Sequence, residues 1–469
     1  MTPLINRLLV VRPDALGDAV LCLPLLATLK RQFPDAELTV LASAYTRPFF
    51  EASDVVDEVI EDRRSIGKAK GLVGFFRYAK WLKAQSYDVV ILPYSDDYLA
   101  WLMWFARIPI RIGDSNRMAY RAAFTHGAPQ AVRNLNRHVA EQNIDLLRTW
   151  LPDIDSVDVV SVTVPESARQ EAHFFLTEKG WRGRRLIGIH PTTGGHNRAW
   201  GAERYAVLAK QMVRDLSATV ILTGYGAADN KVCKEIVDQA GEGVINLCGL
   251  TSLTQLMGVV SQCELFVGTD TGPVHMAASI GISILGLAPT KFVKASHWGP
   301  WGVPSRLLGD PRPCPLVCNP LKCSAPHCVA AIIPDRALAS AKDLLDSPGT
   351  WEQARQGLLR RAHHVGVLVR CSEIDHGESR RVIEELEDRG YRYTVINDRW
   401  FIPSLIRRLA VADFTVIHGF SRMGWKWSLI RSLVAPFVYA PPIVIEHSKY
   451  IRSEQSLLHY YDTQMEKQT

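Results

Sequence analysis

"LLVVRPDALGDAVL", residues 8–21, holds two apolar runs, one that stops at Arg12 and Pro13 and one that starts after Gly17 and Asp18. The first reads as a strand and the second as a helix, so the polar turn sets a carboxylate at the threshold of a buried helix. The same rhythm continues down the chain. "ELTVL", "DEVIE" and "YDVVIL" are short β-rich runs, and "GFFRYAKWLKAQ" between the last two has the spacing of an amphipathic helix. Residues 137–151, "RHVAEQNIDLLRTWL", are helical in pattern. A second alternation then runs through "RRLIGIHP", "AERYAVLAKQMVRD", "ATVILTG", "DNKVCKEIVDQA", "CELFVGTD" and "ISILGLAP". Strands alternating with helices predict an α/β fold with a parallel sheet in each of two similar halves joined near residue 160.

The bulk numbers agree with several domains. At 469 residues the chain is too long for one core. The reading divides it into 1–160, 161–347 with a Cys-rich loop at 310–330, and a smaller α/β appendage at 351–469 that follows "SPGT". A net charge of +6, spread along the chain, argues against a dedicated nucleic-acid-binding domain. The start "MTPLINRLLVV" has no signal-peptide pattern, and no apolar run reaches the length of a membrane span, so the expected location is the cytoplasm. In the appendage, Trp425, Lys426, Trp427 and Arg431 allow a membrane-interface reading beside the plainer one of a packed amphipathic helix.

The turn after the first strand occupies the place of a dinucleotide fingerprint, but its single glycine fails G-x-G-x-x-G, which speaks against hydride transfer. Ligands of open α/β sheets bind outside the carboxyl ends of the strands, and Asp18 lies just past one. There it can serve as general base for an attacking hydroxyl. The alternative is a cap or first-turn acid stabilised by the helix dipole. Asp14, after Pro13, reads as turn chemistry. Pro24 predicts a short turn of helix followed by a longer one.

Two loops of the second half point to an anion. In "VGTDTGPVHMAASIG", residues 267–281, Asp270, Thr271 and Gly272 place backbone N–H groups at a helix N-terminus. Asp270 itself would repel phosphate, so its partner is a sugar hydroxyl or the helix cap. His275 falls inside that helix, either packed or functional. In "GIHPTTGGHNRAWGAERY", residues 188–205, Thr192 and Thr193 open a polar loop and Arg198 offers a fork suited to phosphate oxygens. Two such loops in one half favour a nucleoside diphosphate. Cys314, Cys318, Cys323 and Cys328 are close enough in sequence to hold zinc or iron, or to remain thiols or pair as disulfides.

Together these stretches resemble glycosyltransferase family 9, the heptosyltransferases that use ADP-heptose in lipopolysaccharide assembly. The resemblance covers roughly residues 7–345. The Gly-Asp turn, "HPTTGGHNRAWGAERYAVLA", "GTDTGPVHMAASIG" and "LAPTKFVKASHWGPWG" carry it, with Arg198 where the family usually has lysine. It implies a GT-B architecture of two Rossmann-like domains facing a cleft, the first binding the acceptor and the second the nucleotide sugar. It implies an inverting transfer with Asp18 as base, and Thr192, Thr193, Arg198, Asp270, Thr271, Gly272 and His275 at the donor. No metal or other cofactor is implied for the chemistry, and the cysteine loop is implied to be structural. The implied partners are ADP-heptose or another nucleotide sugar and a lipid-linked glycan acceptor, with peripheral association at the inner membrane. Two other readings remain, transfer to protein hydroxyls and an inactive GT-B-like scaffold.

Overall fold

Parallel strands need a long crossover between them, and this chain supplies a helix in most of its crossovers. The computed structural model describes residues 5–354 except 65–66, 68, 94–95, 116–118, 129–137, 155–158, 194–198, 289–294, 310–327, 329–330 and 351–352. It also describes the backbone of three strands further on. By its contacts the chain divides into two compact units, 1–310 with 318–355, and 311–317 with 356–469.

The first unit contains two six-stranded sheets. The first is built from β1 (Arg7–Arg12), β2 (Glu37–Ala42), β3 (Glu58–Glu61), β4 (Val89–Leu92), β5 (Ile110–Asp114) and β6 (His126–Ala128) in the order β3-β2-β1-β4-β5-β6. Every pairing is parallel. The second comprises β7 (Leu186–His190), β8 (Thr219–Leu222), β9 (Val244–Asn246), β10 (Leu265–Gly268), β11 (Ser283–Ala288) and β12 (Ser305–Gly309), also all parallel. Its order, β12-β11-β10-β7-β8-β9, repeats that of the first sheet from the other end. Both are doubly wound, and each reverses direction beside its first strand, between β1 and β4 and between β7 and β10.

Side-chain alternation along β1 assigns the helices to faces. Leu8 and Val10 join one core with residues of α1 (Leu16–Val20), α2 (Leu23–Gln32) and α6 (Val139–Arg148). Leu9 and Val11 join another with α4 (Gly71–Ala84) and α5 (Asp97–Phe105). The first of these cores continues into the second half through Val274, Met276 and Ala277 of α11 (Gly272–Ser279) and Met257 and Val260 of α10 (Leu253–Val260). Behind the second sheet, α8 (Ala202–Asp215), α9 (Gly226–Ala240) and the helix Pro334–Asp346 bury a separate core around Trp200 and Tyr205. The second unit contains a parallel three-stranded sheet of β13 (His364–Val369), β14 (Arg392–Asn397) and β15 (Phe414–Ile417), with β13 central.

Candidate active site

Backbone N–H groups at the start of a helix have no partner within it, so ligand chemistry collects where a parallel strand ends and the next helix begins. Arg12 is the last residue of β1, at the first sheet's reversal point, and it is buried. A guanidinium out of water needs charge partners, and this one has two. Its Nη2 donates to Asp18 Oδ1 at 2.6 Å and its Nε to the Asp18 carbonyl at 3.2 Å. Nε also lies 3.2 Å from Asp14 Oδ1, an ion pair without hydrogen-bond geometry. Burial pushes the Asp14 carboxyl up to about 6, with Arg12 opposing the rise and Asp18 adding to it.

The N-cap of α1 is Ala15, which makes no side-chain cap. Asp18 is in the first turn, where a negative charge suits the helix dipole, but its carboxylate is held by Arg12. Among the described residues Asp18 Oδ2 has no hydrogen-bond partner, and the side chain is one quarter exposed. The break expected from Pro24 is present. α1 stops at Val20, and α2 begins at Leu23 with the proline in its first turn, where the missing N–H is not needed. Asn143 Nδ2 donates to the Leu21 carbonyl at 2.9 Å across the break.

In the second sheet β7 and β10 end side by side, with Gly268 opposite His190. Beyond β10, Thr271 is the N-cap of α11 in extended conformation, and Pro273 is in the first turn. Asp270 is not the cap. Its Oδ1 accepts a hydrogen bond from Nε2 of His275 at 2.8 Å, and His275 is buried. Beyond β7, His190 Nδ1 lies 3.0 Å from Thr223 Oγ1, whose hydroxyl reaches the Ile189 carbonyl at 3.4 Å. That chain assigns the proton to Nδ1 and leaves Nε2 to accept from Thr192 Oγ1 at 3.5 Å. Burial lowers the His190 pKa to about 4, against the pull of Asp229. Thr192 and Thr193 are half-buried at the mouth of this loop. Trp200, past the loop, is fully buried and donates from Nε1 to the Ile332 carbonyl at 2.8 Å.

The two strand ends meet through two glycines. A Cβ on Gly17 would lie 3.0 Å from His275 Cδ2, and one on Gly272 would lie 2.9 Å from Leu16 Cβ. The first turns of α1 and α11 therefore pack directly on one another. Asp18 is joined through Gly17 to His275, and through His275 to Asp270. Behind this contact His138, in the capping box of α6, places Nε2 2.9 Å from the Gly299 carbonyl, and its ring packs on Trp301.

The structure thus gathers Asp18, Asp270, Thr271, Gly272 and His275 at one junction, with Thr192 and Thr193 on the loop beyond the neighbouring strand. Arg198, Cys314, Cys318 and Cys323 lie outside the described residues, and Cys328 is half-buried and in no disulfide. Among the described residues no group of three or more His, Cys, Asp or Glu is placed to hold a metal ion. Sequence reasoning missed Arg12 and Thr223. A charged residue inside a strand run was the one available signal for Arg12.

A model of glycosyltransferase family 9 (heptosyltransferase) matches residues 75–314. Lipopolysaccharide heptosyltransferase 3 of Escherichia coli is 25% identical over 295 residues, covering 61% of this chain and 83% of its own. Two solved structures share the fold. The glycosyl transferase family 9 protein of Veillonella parvula has a TM-score of 0.63 at 23% identity, covering 72% of this chain and 97% of that one. The E. coli ADP-heptose LPS heptosyltransferase II has a TM-score of 0.59 at 24% identity, covering 72% and 98%. The two doubly wound sheets are a GT-B fold.

Proposed function

The chain belongs to glycosyltransferase family 9, and from that premise we propose that it transfers heptose from ADP-heptose to a hydroxyl of a lipopolysaccharide core or related cell-envelope glycan, with inversion. The acceptor hydroxyl gives its proton to the Asp18 carboxylate as its oxygen bonds to the anomeric carbon. The bond from that carbon to the diphosphate breaks, and ADP leaves. Backbone N–H groups at the start of α11, with Thr192, Thr193 and Arg198, take up the diphosphate charge, so the scheme asks no metal for catalysis. Asp270, held by His275, faces sugar or ribose hydroxyls. Arg12 is a positioning residue that fixes Asp18 through both its carboxylate and its carbonyl.

One observation carries the reading. The Gly17-Asp18 turn packs on His275 and Gly272, which brings the base of one half against the anion-binding helix of the other. Residues 1–160 would then bind the acceptor and 161–347 the donor. A lipid-linked acceptor would have the enzyme work peripherally at the inner face of the inner membrane. No described helix is long and apolar enough to cross a membrane.

The test is a donor screen by ADP release. ADP-heptose is expected to turn over with an envelope acceptor and UDP- and GDP-sugars to be inert, while Asp18→Ala lowers kcat by about 10²- to 10⁴-fold. Normal turnover by Asp18→Ala would remove the base assignment, and turnover of a UDP- or GDP-sugar alone would remove the donor. Silence with every donor and acceptor would favour a scaffold. For Cys314, Cys318, Cys323 and Cys328 the reading is a structural zinc or iron site, and metal analysis of the purified chain should find about one ion per chain. Stoichiometry near zero would leave them as thiols or disulfides.

A further inference from the structure

Five large apolar side chains lie together on the outer surface of α4 and α5. Leu72, Val73 and Phe76 are 78%, 72% and 50% exposed, and Trp104 and Phe105 are 43% and 40% exposed. The rings touch edge to face, Phe76 with Phe105 at 5.2 Å and Phe105 with Trp104 at 4.8 Å between centroids. Leu72 and Val73 stand one turn before Phe76 on the same helix face. The inner face of α4, through Tyr78, Ala79 and Leu82, already secures it to the sheet, so the outer residues are not needed for its docking. A contiguous apolar patch of this size marks an interaction surface.

The surrounding charge identifies the partner. α4 carries Arg77, Lys80 and Lys83 and no acid, Lys70 precedes it, and Arg107 follows α5, whose one acid is at its opposite end. All five cations are exposed, and among the described residues none is in an ion pair. Aromatic and aliphatic side chains at the level of the headgroups, ringed by Lys and Arg that extend to phosphates, are what an anionic bilayer selects. We propose that the α4–α5 face docks the protein on an anionic phospholipid surface, with Leu72, Val73, Phe76, Trp104 and Phe105 entering the boundary between headgroups and acyl chains. α4 and α5 both start at the carboxyl edge of the first sheet, the edge that carries Asp18, while α1 lies on the opposite face. Docking therefore brings the bilayer beside the cleft and leaves the α1–α11 junction uncovered. That this bilayer carries the acceptor rests on the function proposed above, whereas the docking itself does not.

The test is flotation of the full-length chain with vesicles of phosphatidylcholine alone or mixed with phosphatidylglycerol, without glycolipid or nucleotide sugar. Binding is expected only with phosphatidylglycerol and should weaken as salt rises. Arg77→Glu with Lys80→Glu should lower the partition coefficient at least about 25-fold, from roughly fivefold per cation removed. Leu72→Ser with Val73→Ser should lower it about tenfold or more. Both pairs are exposed, so circular dichroism should be unchanged. Absence of binding, or binding equal in wild type and both variants, would overturn the proposal. So would a dimer in sedimentation equilibrium that Leu72→Ser with Val73→Ser dissociates, because the occupant would then be a second copy. Failure of the glycosyl-transfer reading would leave flotation unchanged. If both hold, the variants keep ADP release with a water-soluble acceptor and lose it with one embedded in vesicles.

Discussion

Arg12 holds two carboxylates with one guanidinium, and they are not held alike. Asp18 has the short hydrogen bond, while Asp14 is buried beside the pair without one. With its pKa raised from 3.8 to about 6, Asp14 keeps a proton in the folded state that the unfolded chain has already lost. Its contribution to stability is therefore full below pH 3.8 and is lost as pH rises through about 6. Asp14→Asn, neutral throughout, should gain on wild type between about pH 4 and 7 by up to roughly 3 kcal/mol in urea unfolding. A difference that stays constant with pH would refute the buried-carboxyl account. His190 has the opposite sign. Its pKa falls from 6.5 to about 4, so its contribution is full above 6.5 and is lost as pH falls through about 4. Wild type should therefore lose more stability than His190→Gln between those limits, by up to roughly 3 kcal/mol, and parallel urea midpoints would contradict it.

Packing of one helix start on another depends on what is missing from Gly17 and Gly272. Gly272→Ala puts a methyl 2.9 Å from Leu16 Cβ, close to the backbone of α1, where little can move aside. The expected cost is about 1–3 kcal/mol in chemical denaturation, with a fall in ADP release as Asp18 shifts. Gly17→Ala meets the edge of a buried ring at 3.0 Å and should be milder. Equal stability of Gly272→Ala and wild type would mean the two turns are not in contact. The helices and strands on either side were legible in the sequence, because apolar period and turn residues are local signals. The contact between Gly17 and His275 was not, since it joins residues on different sheets. The pattern leaves His275 between packed and functional; in the structure its buried ring fills the space at Gly17 and its Nε2 donates to Asp270. Helix α5, "DYLAWLMWF", was missed for a different reason. It is apolar on its outer side as well as its inner one, so it lacks the polar stripe that reveals a surface helix.

At the scale of the molecule, the two halves repeat one sheet order, and their strand ends supply the candidate site. That order was not readable from alternation, which counts strands without saying which are neighbours. Pro334–Asp346 buries Ala337, Ala341 and Leu344 in the core around Trp200, and Ile332, two residues before it, accepts the Trp200 hydrogen bond. Arg306 to Asp343 at 3.0 Å ties it further to β12, and Gln211 to Asp335 ties it to α8. A chain ended after Gly349 keeps all of this. It should unfold cooperatively in urea and bind ADP as the full chain does, because the second unit has its own sheet. A chain ended after Ala331 loses the helix and the Ile332 carbonyl. Leu344, two alanines and one buried hydrogen bond are worth on the order of 5 kcal/mol, comparable with the whole net stability of a domain. That shorter chain should lose ADP binding and the cooperative transition of the second half, although β7 and β10 are intact. If the longer truncation fails in the same way, the first unit needs the residues beyond 349 to fold. If the shorter one survives, the core around Trp200 does not depend on its covering helix.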